Sequence, residues 1–399
     1  MLPNGNLPHG NLLLGKFEKP FYICTTMLTP FNFGRTVKNE SFTNREQEIK
    51  KLVSNFENRI NTIIISPRRW GKSSLVEKVA TQVKSKNIKV AKIDLFSMRT
   101  EEEFYNALAN AVIKATTTKA EEWLEMGKKF FKTITPKFTV ELGDKQHFDL
   151  EMDLDTIKKH YRELLDIGEK IAKEKNITLV ICIDEFQNIA AFSNALAVQK
   201  RLRSVWQHHE HVTYCLYGSK QHMMMDLFNK QSNPFYKFGE LMYLPKITEA
   251  KWVTYITKQF QKTKKKITAQ QAQKISEIVK CHPYYVQQLS HLVWINTEAE
   301  VNEQAIKQST QELIDQNALL YFKETENLNN TELRLLRAIS ANEPHLTSKE
   351  VIQRYNLGTS ASVIKAKRSL ISKEIIDDHL KNLYFLDPGF ELWFNKNLL

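Results

Sequence analysis

The segment Ser66-Pro67-Arg68-Arg69-Trp70-Gly71-Lys72-Ser73-Ser74 lies directly behind the apolar run Ile63-Ile64-Ile65 and joins a strand to a helix start through a tight loop. Its Gly-Lys-Ser ending can grip a phosphate. Successive backbone N–H groups of such a loop turn inward around a β-phosphate, a lysine reaches the β- and γ-phosphates, and a hydroxyl ligates Mg2+. Lys72 and Ser73 are placed for the last two roles, and Gly71 lets the backbone come close to the ligand. Ser66 stands where the pattern GxxxxGK(S/T) has its first glycine. A bare Gly-Lys-Ser also occurs as a basic surface turn, so the loop needs a second motif before it means a nucleotide site.

Leu179-Val180-Ile181-Cys182-Ile183, followed by Asp184-Glu185-Phe186-Gln187, is such a motif. An aspartate at the C-terminal edge of a buried strand can hold Mg2+ directly or through water. The glutamate after it can polarise a water for attack on a γ-phosphate. Asp184 is therefore the metal candidate and Glu185 the catalytic one, against the blander reading of an acidic pair that merely caps a helix. A further strand ends in Gly218-Ser219. Ser219 is the candidate to sense a γ-phosphate between the two motifs, and an ordinary Gly-Ser turn is its competitor. Arg201, Arg203 and Lys237 are candidate cations for a transition state that gathers negative charge, though each also reads as a solvated surface charge.

The histidines of Gln207-His208-His209-Glu210-His211 lack the HExxH spacing of a metal helix and read as cations near a helix C-terminus. The run Met223-Met224-Met225 reads as core packing with one exposed member, and residues 262–266 as a solvated turn.

These residues need a scaffold. Five apolar strand candidates, at 61–65, 88–95, 178–184, 212–217 and 241–244, alternate with helical patterns, which predicts a parallel sheet covered on both faces. Thr100 with Glu103 makes a capping box for a helix reaching about residue 114, and residues 156–173 carry Ile157, Tyr161, Leu164, Leu165 and Ile171 along one side. Residues 137–152, with a turn at Gly143-Asp144, read as a hairpin insertion. Beyond residue 247 the pattern is helical, with a Thr268/Gln271 box and Pro283 suited to a first helical turn. From Thr331 onward three helices, the second opened by Thr347/Glu350, and a short hairpin near Leu386 make a winged helix. The expected organisation is a tail over 1–28, an α/β core over 29–247, a helical lid over 248–325 and a winged helix over 326–399. Met27 is a candidate start.

The chain has 399 residues, 42% of them hydrophobic, and a formal charge of +12. That length suits two or three domains. No apolar run approaches a membrane span and the N-terminus does not read as a secretory signal, so a cytoplasmic location is expected. Cys24, Cys182, Cys215 and Cys281 show no CxxC spacing, which argues against a zinc site or a disulfide framework. The positive charge suits a phosphate-rich partner, but a small phosphate ligand already uses part of it.

Taken together, Phe42-Thr43-Asn44-Arg45-Glu46-Gln47-Glu48, the Ser66 loop, Ile-Asp-Glu-Phe-Gln at 183–187 and Cys281-His282-Pro283-Tyr284-Tyr285-Val286-Gln287-Gln288 closely resemble the archaeal-type ATPase family, near the STAND and origin-recognition branches of the AAA+ ATPases. The resemblance covers about residues 29–399. It implies a P-loop NTPase fold with a five-stranded parallel sheet, a helical lid and a C-terminal winged helix, and ATP with Mg2+ as ligands. In that family a serine recurs in place of the first loop glycine. The resemblance places Phe42, Arg45 and Glu48 over the adenine, with the residues around Pro283 closing its other side. The family usually has glycine where Cys281 stands, and no arginine beside Tyr284 to Gln288 matches the lid arginine of typical AAA+ motors. Some relatives carry a nuclease domain after the winged helix, for which a chain ending at Leu399 leaves no room.

Three functional readings follow. The first is a Mg-dependent ATPase that works as a nucleotide-driven conformational switch. The second is a nucleotide-controlled DNA binder. Val363, Ile364, Leu370 and Ile371 define the buried side of the third winged-helix helix and leave Ser362, Lys365, Ser369 and Ser372 outermost, too few cations to favour DNA. The third is a STAND-type scaffold that holds nucleotide, turns it over rarely and docks an unidentified protein; self-association is open in all three.

Overall fold

Ile63, Ile64 and Ile65 are all buried, a run too uniformly apolar for a strand with one wet face. The computed structural model, which describes residues 28–35, 44–84, 87–118, 122, 125, 126, 129, 151–379 and 382–398, shows them in the middle of a sheet. Phe42, and the predicted hairpin apart from residues 151 and 152, lie outside the described residues. Strands β1 (Thr62–Ile65), β2 (Ile88–Asp94), β3 (Thr178–Asp184), β4 (Val212–Gly218) and β5 (Glu240–Tyr243) form one sheet in the order β2-β3-β4-β1-β5. All four pairings are parallel. Side chains alternate between the faces, as the two-residue period of a strand requires. Ile64, Val180, Cys182 and Cys215 pack under α1 (Glu46–Glu57) and α2 (Lys72–Val83) with Leu52, Phe56, Leu75 and Val79. Ile63, Ile65, Ile181 and Ile183 pack on the other face under α3 (Glu101–Thr116), α4 (Leu154–Glu174) and α5 (Ala195–Trp206).

The chain order matters for chemistry. β4 lies between β1 and β3, so the loop after β1 and the acidic end of β3 flank one another across the end of β4, where an open α/β sheet binds ligands. The Thr100/Glu103 box opens α3 as expected, with the Glu103 N–H donating to Thr100 Oγ1 at 3.1 Å. The histidines after α5 are not free helix-end cations. His209 is buried and bridges Tyr214 Oη at 2.8 Å and Asp166 Oδ1 at 3.0 Å, and His211 meets Glu169 at 2.8 Å, which ties the start of β4 to α4. Spacing alone gave no sight of these carboxylates on another helix. Helix α6 (Gln221–Asn229) follows β4, with Met224 buried and Met223 and Met225 half-buried.

Four helices, α7 (Glu249–Lys262), α8 (Ala269–Ile278), α9 (Pro283–Ile295) and α10 (Glu303–Gln316), share a core of Trp252, Phe260, Val286 and Leu289, into which Phe31 inserts. The Thr268/Gln271 box opens α8, and Pro283 occupies the first turn of α9, where a missing N–H costs nothing. Lys265 is not simply solvated: its ammonium donates to the Trp294 carbonyl at 2.7 Å and lies 4.3 Å from the Trp294 ring centre.

Helix α11 (Ala318–Glu326) leads into α12 (Asn330–Ser340), α13 (Lys349–Arg354) and α14 (Ser360–Ser372), then the antiparallel pair β6 (Ile376–His379) and β7 (Asn382–Phe385). This is the winged helix. Its second helix is capped by Ser348, whose hydroxyl accepts the Val351 N–H at 3.3 Å, rather than by Thr347. On α14 the buried positions are Val363, Ala366 and Leu370, while Ile364 is exposed. The helix is thus rotated from the expected setting, with Ala366 rather than Ile364 facing the core. A further helix, α15 (Pro388–Leu398), was not expected; it adds Phe390, Trp393 and Phe394 to the winged-helix core.

Candidate active site

Strand β1 delivers its loop to the end of the sheet, and the loop is built from unusual backbone. Arg69 (φ +61°) and Gly71 (φ +92°) are both left-handed, the alternation that turns successive N–H groups into an anion-binding nest. A methyl group on Gly71 would meet no atom within 4 Å, so what glycine supplies here is the conformation rather than space. Ser66 is buried in the first-glycine position, and its carbonyl accepts from Lys72 Nζ at 3.0 Å, as does that of Pro67 at 3.0 Å. The ammonium is thus held inside its own loop. Burial pushes Lys72 down to about 8, against the opposing pull of Glu185 and Asp184.

The acidic strand end sits opposite. Ser73 Oγ donates to Asp184 Oδ2 at 2.7 Å, bringing the two predicted metal ligands together before any ion is added. Burial pushes the Asp184 carboxyl up to about 6, against the hydrogen bond from Ser73. Glu185 goes the other way. Burial opposes its ionisation, but hydrogen bonds from Gln187 and Ser219 and the charge of Lys72 together hold it below the usual range. Its backbone is left-handed (φ +50°) and its N–H donates to Asp184 Oδ1 at 2.8 Å. Ser219 Oγ donates to Glu185 Oε2 at 2.8 Å.

The other loop side chains reach outward. Arg68 Nε donates to Ser219 Oγ at 3.4 Å and lies 3.9 Å from Glu374 of the winged helix. Arg69 lies 4.4 Å over the Tyr284 ring of the lid. Trp70 is buried edge-on to His282. Arg45 is buried and fixed to the Pro245 carbonyl at 2.7 Å and the Trp70 carbonyl at 3.3 Å, so it braces the loop as well as lining the cleft beside it.

That cleft encloses about 540 Å³. Gly71, Lys72, Ser73, Ser74 and Glu185 of the sheet domain and Phe33, Trp252, Pro283 and Tyr284 beside the lid line it. The structure therefore brings together Arg45, the whole loop from Arg68 to Ser74, Glu185 and Pro283; Asp184 joins through Ser73, Ser219 through Glu185, and Ser66 and Pro67 through the Lys72 ammonium. Phe33 and Trp252 were not singled out as lining residues, since nothing in their spacing separates a cleft aromatic from a core one; Tyr284, next to Pro283, and Gln287, in the motif that carries the resemblance, line the cleft beside them. Arg201, a candidate cation, is instead bonded to Glu101 across the α3–α5 packing, and Arg203 lies 5.0 Å over Phe238.

The donor set fits Mg2+. Ser73 and Asp184 offer oxygen only, as a hard cation that keeps several waters requires. Among the described residues no cluster of three or more His, Cys, Asp or Glu could hold another metal, and no helix is long and apolar enough to cross a membrane.

The sequence matches none of the curated proteins. Among solved structures, the Walker-type ATPase PABY2304 of Pyrococcus abyssi is similar over 92% of this chain and 100% of its own, at 17% identity and a TM-score of 0.64. The ORC2 protein of Aeropyrum pernix, in its ADPNP–ADP complexes, is similar over 92% of this chain and 98% of its own, at 15% identity and a TM-score of 0.55. Both likenesses are of fold. A family model of a probable winged helix domain matches residues 319–396. Residues 42–289, well over half of the chain and the span that holds the phosphate loop, the acidic strand end and the first half of the lid helix α9, match the model of an ATPase domain found predominantly in Archaea, and to that family the chain belongs.

Proposed function

We propose that this chain binds ATP with Mg2+ in the cleft between the phosphate loop and the lid, hydrolyses it, and uses nucleotide state to set the position of the lid and winged helix. The observation that carries the reading is the convergence of Lys72, Ser73, Asp184 and Glu185 at neighbouring strand ends: Asp184 accepts from Ser73 and from the Glu185 N–H, and the Lys72 ammonium feels the charge of both carboxylates. Phosphates enter the nest at Gly71 and exchange places with the Ser66 and Pro67 carbonyls as partners of Lys72. The base lies among Phe33, Trp252 and Tyr284. Ser73 and Asp184 would hold the metal, which would supply charge neutralisation to the phosphates. Glu185, kept ionised by its partners, accepts hydrogen bonding from the attacking water, and Ser219 couples that carboxylate to Arg68 at the loop.

A second reading has its own observation. Glu374 of the winged helix lies 3.9 Å from Arg68 and 4.0 Å from Lys220, and Asp377 accepts from Gln221. These polar contacts favour a latch in which the winged helix rests against the loop and is released with nucleotide exchange, to dock a protein partner or a second copy. DNA has less support: Lys365 and Arg368 are exposed on α14, but Lys367 is bound to Asp378 at 2.6 Å.

The test is paired. Lys72→Ala abolishes binding of a fluorescent ATP analogue, while Glu185→Gln binds it normally and slows phosphate release about 10²–10⁴-fold. Undiminished turnover in both variants would sink the proposal. Single-turnover rates and mass with ADP and with ATP separate repeated turnover from a latch.

A further inference from the structure

Glu185 is the carboxylate on which hydrolysis rests, and the structure gives it more than its own strand to stand on. Among the described residues, every hydrogen bond that reaches its side chain falls on one oxygen. Oε2 accepts from Ser219 Oγ at 2.8 Å, from the Ser219 N–H at 3.3 Å and from Gln187 Nε2. Oε1 is left for another donor, which in the reading above is the attacking water.

Gln187 is an unlikely residue to find where it is. It is 1% exposed, in the first turn of the 3-10 segment Phe186–Ala191. Its amide orientation follows from chemistry, since an ionised carboxylate only accepts and the NH2 must face it. The other end of the amide, Oε1, is buried with no hydrogen-bond partner. An unpaired buried acceptor is unfavourable, so packing alone gives no reason for an amide here; a methionine or leucine would fill the same space without it. Space is also set aside for this amide. A methyl group on Gly218, at the end of β4, would fall 1.9 Å from Gln187 Oε1. The strand that carries Ser219 thus gives up a side chain one residue earlier to admit Gln187. Phe186, fully buried against Phe228 and Phe235, fixes the segment from the other side.

We propose that Gln187 is a positioning residue for hydrolysis: wedged between Gly218 and Glu185, its amide holds Oε2 against the Ser219 end of β4 and so presents Oε1 to water. The inference rests on the assignment of Glu185 to the hydrolytic step. It requires no contact between Gln187 and nucleotide, and Gln187 does not line the cleft.

The experiment uses the full chain and reads nucleotide affinity, turnover and melting temperature together. Gln187→Met, similar in volume and without a donor, is expected to lower kcat about 10-fold or more while the Kd for ATP stays within about twofold, because one hydrogen bond to a charged group is lost in the step that uses it. Gly218→Ala, which displaces the amide without altering it, is expected to lower kcat in the same way. Placed on Glu185→Gln, where the carboxylate is already gone, Gln187→Met adds no further loss. A turnover loss that persists at full size in that background, or a Kd that rises in step with it, overturns the proposal, as does wild-type kcat in Gln187→Met. Undiminished turnover in Glu185→Gln itself would instead remove the role of Glu185, a result read before Gln187 is considered.

Discussion

The two sides of the cleft are made differently. On the sheet side the functional groups are short and polar and satisfy one another: Lys72 with the Ser66 and Pro67 carbonyls, Ser73 with Asp184, Ser219 with Glu185. On the lid side, α9 presents rings, and polar atoms around it lack partners: His282 Nδ1, Gln288 Oε1 and Ser290 Oγ are all buried with no hydrogen bond. The lid's firmest attachment runs the other way, to the winged helix. Tyr285 donates to Asp387 Oδ2 at 2.7 Å, the Tyr321 hydroxyl lies 3.1 Å from that of Tyr285, and Lys280 meets Glu391 at 2.6 Å. The winged helix touches the sheet domain through fewer polar pairs, Glu374 with Arg68 and with Lys220 at the limit of ion-pair distance and Asp377 with Gln221 in a direct hydrogen bond. On the proposed function, this difference favours chemistry at a preorganised sheet edge and motion of lid and winged helix as one piece.

The largest effect that would sharpen this contrast is expected at His282, the lid residue packed on Trp70. Burial, reinforced by the positive charges of Arg69 and Lys246, pushes its pKa down to about 3 from an ordinary 6.5. A group with a depressed folded pKa contributes stability that is present above the unfolded value and is lost as pH falls towards the folded one. Between pH 6.5 and pH 4 the unfolded chain takes up a proton that the folded lid refuses, a loss of about 3 kcal/mol. Urea unfolding at pH 7 and pH 4 is expected to show a steeper acid loss for the wild type than for His282→Phe, which keeps a ring against Trp70 and has nothing to protonate. Equal slopes would place the acid sensitivity elsewhere and remove the lid's distinction.

The two sides also differed in how far the sequence revealed them. The sheet side was legible because its chemistry is local: Gly71-Lys72-Ser73 and Asp184-Glu185 each lie within a few residues, and five apolar runs announced a parallel sheet. What escaped was contact between distant segments. Nothing near Gln187 pointed to Gly218, nothing near Arg68 to Glu374, and nothing near His209 to Asp166, because each partner is brought in by a different element. Periodicity placed the helices of the winged domain but mis-set the rotation of α14, on which Ala366 is buried and Ile364 exposed. α15 was overlooked although Phe390, Trp393 and Phe394 carry a helical spacing, since a hairpin is a natural end to a winged helix.

A middle-sized effect tests whether lid and winged helix are one body. A methyl group on Gly389 would lie 2.4 Å from Tyr321 Oη and 2.8 Å from Tyr285 Cε1. Gly389→Ala therefore forces the two tyrosines off Asp387, an overpacking cost of about 2 kcal/mol. Limited proteolysis should then cut between the lid and the winged helix faster than in the wild type, with ATP binding retained because no cleft residue is touched. Unchanged cleavage would mean that the docking tolerates separation and that the two do not travel together.

The smallest effect is expected at the turn that leads into α9. Lys280 (φ +51°) and Cys281 (φ +57°) are consecutive left-handed residues, and the chain carries a side chain at 281 where the resemblance drawn from its motifs has glycine. The conformation is required: the Cys281 N–H donates to the Ser276 carbonyl at 2.7 Å, and its own carbonyl accepts from Trp252 Nε1 at 3.3 Å. A side chain in the left-handed region costs about 1–2 kcal/mol, while glycine returns roughly 0.5–1 kcal/mol of that through the freedom of its unfolded chain. Cys281→Gly is therefore expected to stabilise by about 0.5 kcal/mol, and Cys281→Val, branched at Cβ, to destabilise by about 1 kcal/mol or more. Melting temperatures in the order glycine, cysteine, valine would show that the lid's entry turn holds its shape against its own sequence. The reverse order would mean that the half-buried Cys281 side chain outweighs the backbone, and that the lid is braced at this turn as firmly as the sheet edge it closes on.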